Sequence, residues 1–205
     1  MKILSISGGG VWGAGVAYFG KLMAKGVTEP RDYFDGFSGT STGAIIAACY
    51  AHGLNSNEID KLYRSKVRKI FTKNPWYKRV IPSVPRYTSR EFKKVLNNVF
   101  GDTRMCDLDK PCWLVAWRVN GENNNKVFGP DDNTFVRDAV LASASAPTYF
   151  PVHTIDGTEY MDGGLWANNP ALVALCGCDT KPDGVKMLTL VTGGTQDNKK
   201  TGNMG

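Results

Sequence analysis

The pentapeptide Gly39-Thr40-Ser41-Thr42-Gly43 constrains this chain more than any other stretch. It reads G-x-S-x-G and stands where an extended aromatic segment (Tyr33, Phe34, Phe37) gives way to a helical run, Ala44 to Tyr50. A serine on a sharp strand-to-helix turn is held with its Oγ clear of the fold. Glycines at 39 and 43 are needed there because a Cβ would clash as the chain doubles back. The helix that follows also points its N-terminal amides at whatever the serine attacks. Small residues bunch at strand–helix turns for steric reasons alone, so the pentapeptide takes its meaning from the rest of the chain.

A nucleophilic serine needs a base, most often histidine. The chain has two. His52 lies eleven residues after Ser41, at the far end of the same helix and just before Gly53, where it reads as a C-terminal cap. His153 follows Phe150-Pro151-Val152 and enters a strand, which leaves a Ser-His-Asp triad open. The other candidate is Asp162 in Met161-Asp162-Gly163-Gly164, at the end of an apolar strand, where open α/β sheets place their chemistry. A turn aspartate capping its own backbone is the plain alternative.

Ser7-Gly8-Gly9-Gly10-Val11-Trp12-Gly13 follows the strand Lys2 to Ile6 directly. Gly8, Gly10 and Gly13 satisfy the G-x-G-x-x-G of dinucleotide folds, but that reading wants a ribose-binding acid on the next strand end. Asp32 and Asp35 are loosely in range, and the next element is the serine turn instead. The other use of such a loop is an oxyanion hole, where bare backbone N–H groups of Gly8, Gly9 and Gly10 converge on developing negative charge. A serine turn in the same chain favours that use.

Taken in order, the Gly8–Gly13 loop, the Ser41 elbow and Asp162-Gly163-Gly164 make the chain similar to the patatin-like phospholipases. Ala142 to Pro151 resembles the segment preceding that family's catalytic aspartate, and Asn168-Asn169-Pro170 the run after it. The similarity spans about residues 2 to 192. It implies a three-layer α/β/α fold with a central, mostly parallel sheet and a serine nucleophile elbow. It further implies a phospholipase A-type lipid acyl hydrolase with Ser41 as nucleophile and Asp162 as base of a dyad, and Gly8–Gly10 amides around the oxyanion. The family usually carries an acid before the glycines and a base before the last; here these are Ser7 and Trp12. The lost cation bears on head-group recognition and leaves the backbone donors in place, and Trp12 is free to line an acyl pocket or pack on the first helix.

At 205 residues and 42% hydrophobic, one α/β domain over 1–195 is expected, followed by a polar tail over 196–205. The apolar run Ala44 to Ala51 is too short to span a bilayer. Met1-Lys2-Ile3-Leu4 enters a strand with no signal-peptide pattern, and five scattered cysteines make no disulfide framework, so a reducing cytoplasm is expected. No metal and no cofactor is expected: Cys176-Gly177-Cys178 lacks zinc or redox spacing, and no Asp-rich calcium loop is visible.

Helix signals include a capping box at Asn55 and Glu58 for a helix to about Phe71, and another at Thr88 and Glu91 for one ending before Gly101. A first helix spans Gly13 to Lys25, closed by Gly26, and Thr134 to Ala144 is helical until Pro147. Asn169 caps a helix with Pro170 at its first position. Hairpins are expected between Trp113–Val119 and Lys126–Phe128, and across Asp156-Gly157; a last strand runs from Lys186 to Val191.

Charge is concentrated. Residues 61–94 hold twelve Lys/Arg and one acid, Glu91, a net of +11 in a chain of net +6. Tyr63, Phe71, Trp76, Tyr77 and Tyr87 interleave with them. Cations beside aromatics suit an anionic phospholipid surface, so a peripheral membrane partner is expected. Nucleic acid uses the same ingredients and is the weaker reading, and a solvated helix face is the bland one. A non-catalytic lipid-binding module is the competing functional class; it would tolerate loss of Ser41 or Asp162, and both are present.

Overall fold

The computed structural model of the chain describes residues 1–70, 85–121 and 123–192, with the backbone alone over 67–70. The strands are β1 (Lys2–Ile6), β2 (Gly36–Thr40), β3 (Cys112–Arg118), β4 (Asn125–Phe128), β5 (His153–Ile155), β6 (Thr158–Asp162) and β7 (Lys186–Leu190). The helices are α1 (Gly13–Gly26), α2 (Pro30–Tyr33), α3 (Thr42–Ala51), α4 (Ser56–Ile70), α5 (Arg90–Phe100), α6 (Val136–Ser143) and α7 (Ala171–Gly177). The polar tail 196–205 and the middle of the basic segment, 71–84, lie outside the described residues.

One mixed sheet runs β5-β6-β3-β2-β1-β7, with β4 also paired to β3. The expected three-layer α/β/α arrangement is present. Its sheet is parallel across β3, β2, β1 and β7. It is antiparallel where the two hairpin-forming regions join, β3 with β4, β3 with β6 and β5 with β6. Short connections force this in the two hairpins, β3 with β4 and β5 with β6, since a six- or two-residue loop returns a strand antiparallel and parallel pairing needs a long crossover. In the second hairpin, Asp156 and Gly157 both adopt positive φ, 47° and 78°, as a primed two-residue turn demands.

The register explains how two distant segments meet. Val115 pairs with Thr40 on one edge and Val127 on the other. Ala116 pairs with Asp162 on one edge and Lys126 on the other. Because β4 occupies one edge at both positions, β2 and β6 share the opposite edge. β2 runs parallel to β3 and stops at Thr40, and β6 runs antiparallel and stops at Asp162, one β3 residue further on. Their C-terminal ends therefore face each other.

Packing is lopsided across the sheet. On one face Leu4, Ile6 and Phe37 meet α1, α3, α4, α5 and α6 in the larger core, with α3 buried over all ten of its residues. A helix apolar on every side belongs inside. The other face carries a smaller cluster of Ile3, Trp113 and, from α7, Ala174.

Local caps follow the sequence in part. Asn55 and Glu58 form their capping box, with Asn55 Oδ1 accepting the Glu58 N–H at 3.0 Å and Glu58 Oε2 the Asn55 N–H at 2.8 Å. Where a box was expected at Thr88 and Glu91, α5 begins one residue later, with Ser89 at its N-cap, and Glu91 pairs with Lys94 at 3.0 Å. At α7 the cap moves to Pro170, while Asn169 Oδ1 still accepts the Ala171 N–H at 3.1 Å.

Candidate active site

Ser41 sits at the β2–α3 junction with φ 55° and ψ −121°. This is a left-handed backbone that a residue with a Cβ adopts only where its surroundings force it, at a cost of about 1–3 kcal/mol. The force is steric. A Cβ on Gly39 would run into the Gly43 carbonyl, and one on Gly43 into the Ile6 carbonyl of β1. The turn is thus clamped between its own helix and the neighbouring strand. Ser143 Oγ, at the end of α6, accepts the Ser41 N–H at 3.0 Å.

Asp162 is 5% exposed and ends β6. The Ser41 side chain stands beside its carboxylate, close enough to favour the charged form. The carboxylate accepts the Gly164 N–H at 2.7 Å. Burial pushes the carboxyl above its ordinary value, and the Ser41 side chain and the Gly164 N–H pull it part of the way back. Such a carboxylate is a stronger base than an exposed one. The Asp162 backbone N–H donates to Ser145 O at 3.0 Å. Ser143 and Ser145, two residues apart, therefore brace the serine and the aspartate from one segment.

The structure brings Ser41 to Asp162, and it places the histidines elsewhere. His153 is buried, with Nε2 2.9 Å from Asp138 Oδ1 on α6. His52 closes α3 and lies edge-on to Phe100, ring centroids 5.4 Å apart.

The glycine loop narrows the oxyanion expectation. Gly8 donates its N–H to Asn168 O at 3.1 Å, and its own carbonyl accepts Thr192 Oγ1 at 2.6 Å. Gly8 is therefore a tether, while Gly9 and Gly10 line the cavity together with Ser41. Asn168 and Thr192 were not singled out as site residues from sequence; Asn168 lay in a matching run, but its hold on Gly8 is a contact across 160 residues. Ser7, in the position the family usually gives to an acid, is buried with no partner for its Oγ among the described residues.

A cavity of about 360 Å³ opens on Ser41. Buried Ile45, Tyr63, Phe92 and Phe150 make its floor, and exposed Val11, Trp12 and Tyr149 its rim. One wall is an aromatic series: Tyr149 on Tyr87 at 6.2 Å, Tyr87 on Phe150 at 5.6 Å and Phe150 on Phe92 at 5.9 Å. Tyr63 Oη donates to Thr42 O at 2.9 Å, and both residues line the cavity. The site thus offers a polar reacting edge and an apolar body, suited to an ester bearing a hydrocarbon chain. Among the described residues no three His, Cys, Asp or Glu side chains gather as a metal site.

The description Patatin-like phospholipase matches residues 4–175. The chain belongs to that family. Among its relatives is the cGAMP-activated phospholipase of Vibrio cholerae serotype O1 (strain ATCC 39315 / El Tor Inaba N16961), 30% identical over 203 residues, 85% of this chain and 57% of the relative. The cGAMP-activated phospholipase of Escherichia coli (strain TW11681) is 29% identical over 199 residues, 85% and 55% of the two chains. Patatin-like protein 2 of Oryza sativa subsp. indica is 28% identical over 213 residues, 85% and 52% of the two chains. The chain spans about half the length of these relatives. VipD from Legionella pneumophila shares the fold, with a TM-score of 0.63 at 14% identity over 93% of this chain and 49% of that one.

Proposed function

We propose that this patatin-like chain is a lipid acyl hydrolase of the phospholipase A type, working through Ser41 and Asp162. The observation that carries the reading is the strained Ser41 elbow, which lines an aromatic cavity and stands beside the buried Asp162 carboxyl. Ser41 Oγ attacks the ester carbonyl carbon as Asp162 takes its proton. The carbonyl oxygen becomes an oxyanion held by the Gly9 and Gly10 amides. As the carbon–oxygen bond to the alcohol breaks, Asp162 returns the proton to the departing oxygen, leaving an acyl-Ser41 ester. Water then gives a proton to Asp162 and adds to that ester; the fatty acid leaves and the proton returns to Ser41 Oγ.

The substrate would be presented at a membrane surface. Among the described residues no helix is long and apolar enough to cross a bilayer. The basic segment would attract the chain to anionic lipid peripherally from the cytoplasmic side. Its described part includes exposed Lys61 and Arg64 on α4, and Arg86, whose guanidinium lies 5.9 Å from the ring centre of cavity-lining Tyr87. Incubation with mixed phospholipid vesicles, followed by mass spectrometry of the products, tests the reading. Free fatty acid and lysophospholipid should form with the parent chain and not with Ser41→Ala; equal products from both would reject it.

A further inference from the structure

Helix α1 wears its polarity inside out. Its buried residues are small, Gly13, Val16, Ala17 and Gly20. At about 100° per residue, Ala14, Gly15, Tyr18, Phe19 and Leu22 fall within one arc of about 140°. All five are exposed, and no charge enters that arc before Lys25. A helix on a water-facing surface ordinarily keeps charged side chains there. Val11 and Trp12, in the tight turn just before the helix, are exposed as well, Trp12 by 72%. Both also line the rim of the Ser41 cavity. One apolar strip therefore runs from the cavity rim through Trp12, Phe19 and Tyr18 to Leu22. Singly exposed apolar residues need no explanation, but a continuous strip marks an interaction surface.

The border of the strip is cationic. Arg64 of α4 stands over the Tyr18 ring, 5.6 Å from its centre. Lys61 is exposed one helical turn before it, and Lys25 closes the far end. Acid is removed from this border: Asp60 is buried and bonded to Lys21 at 3.0 Å and to Arg64 at 2.8 Å. Exposed aromatics edged by cations match the interface of an anionic bilayer, where rings sit at headgroup level and cations meet phosphate.

We propose that the exposed face of α1, with Val11 and Trp12, is the surface by which this chain seats on an anionic phospholipid bilayer. This rests on reading Ser41 as a lipid hydrolase, and it assigns the insertion to residues outside the basic segment. Continuity with the cavity favours a bilayer over a protein partner. A lipid moving from the strip to Ser41 stays in apolar contact throughout, whereas a protein seated on Trp12 would close the rim. Cations supply long-range attraction, and the strip supplies the part of the binding that salt does not screen.

The test uses the whole chain with phosphatidylcholine vesicles, with and without phosphatidylglycerol, and a short soluble ester. Phe19→Glu/Leu22→Glu should lower vesicle partition by roughly a hundredfold, and Leu22→Glu alone by about tenfold, since each side chain loses its transfer into the apolar layer. Turnover of the soluble ester should stay within about twofold, because neither residue touches the cavity. Brominated phosphatidylcholine should quench tryptophan emission in the parent and quench it less in Trp12→Phe. Vesicle binding unchanged in the double variant would overturn the proposal. So would a parent chain that self-associates through this face, with Phe19→Glu/Leu22→Glu dissociating it and leaving vesicle binding intact. A parent inert toward every ester, whose vesicle binding still falls in the variants, would refute the hydrolase reading and leave the docking surface standing.

Discussion

Ser143 Oγ accepts the backbone N–H of Ser41 at 3.0 Å, so the last residue of α6 holds the strained elbow from outside. The contact fixes the amide of a residue at φ 55°, where little else favours the conformation. Ser143→Ala should cost about 1 kcal/mol of stability, the worth of one such hydrogen bond. It should also slow labelling of Ser41 by a fluorophosphonate about tenfold, because a wandering elbow misplaces Oγ. Thermal melts and labelling rates check the two effects separately. A melt that drops with labelling unchanged would make Ser143 a support of the fold alone.

The dyad assignment predicts an uneven mutational pattern. Ser41→Ala should abolish both probe labelling and ester hydrolysis, and Asp162→Asn should lower turnover on the order of a hundredfold or more. His52→Ala and His153→Ala should keep most of the turnover, although His153→Ala breaks its contact with Asp138 and should lower the melting temperature. Turnover and melting curves measured on one set of variants decide it. A His153→Ala protein as inactive as Ser41→Ala, and folded, would restore the triad.

Asp162 also predicts opposite effects on activity and on stability. Its carboxyl titrates above its ordinary value of 3.8 because burial disfavours the charge. Activity needs the ionised form, so kcat/KM on a soluble ester should fall as pH drops through a midpoint above 3.8. For stability the sign reverses. Between 3.8 and the raised value the native chain holds more protons than the unfolded one, so stability falls as pH rises through that window. The charged carboxylate is then a standing cost at neutral pH. Asp162→Asn should therefore gain stability relative to the parent as pH rises from acid to neutral, while losing activity. Melting temperature against pH for both proteins shows it; parallel curves would mean that Asp162 is not strained by burial.

What the sequence disclosed is what local sterics dictate. The elbow was legible at Gly39, Ser41 and Gly43 because a sharp strand-to-helix turn permits few residues. Asp156-Gly157 declared its hairpin for the same reason, and Asn55 with Glu58 declared their cap. Asp162 could be placed at a strand end, but its meeting with Ser41 depends on β2 and β6 sharing one edge of β3, a register that no local pattern records. Gly8 was legible as part of a loop and not as a tether, since Asn168 and Thr192 arrive from the far end of the chain. The Thr88 and Glu91 pairing had the right letters in the right spacing. In the structure α5 starts one residue later than that pairing implies, and Glu91 lies 3.0 Å from Lys94.

Asp60 supplies a further pH-linked prediction. It is buried at the α1–α4 contact and bridges Lys21 of one helix to Arg64 of the other. Burial alone would raise its carboxyl, but hydrogen bonds from Arg64 and Lys21, and their charges, hold it below its ordinary value. Here the contribution to stability is present at neutral pH and lost as pH falls through the lowered value. Asp60→Asn should therefore lower the melting temperature at neutral pH, with the deficit shrinking toward acid. A deficit independent of pH would mean that the loss is one of packing.

The basic segment makes its own prediction, separable from that for α1 by salt. Each cation near an anionic surface contributes about 1 kcal/mol and acts only within a Debye length of about 10 Å at 0.1 M salt. Lys61 and Lys66 lie on α4, outside the cavity, and neither has an ion-pair partner among the described residues. Reversing both to Glu should weaken binding to phosphatidylglycerol vesicles at least about tenfold at low salt, because each site turns an attraction into a repulsion. Raising the salt should close most of the gap, as screening removes both terms together. The Leu22→Glu deficit should survive the same salt, since it comes from lost burial as well as from added charge. Soluble ester turnover should barely move in Lys61→Glu/Lys66→Glu, with Ser41 and Asp162 untouched. An equal loss on vesicles and on the soluble ester would show that α4 supports the fold or the site, and the electrostatic attraction to membranes would have to be abandoned.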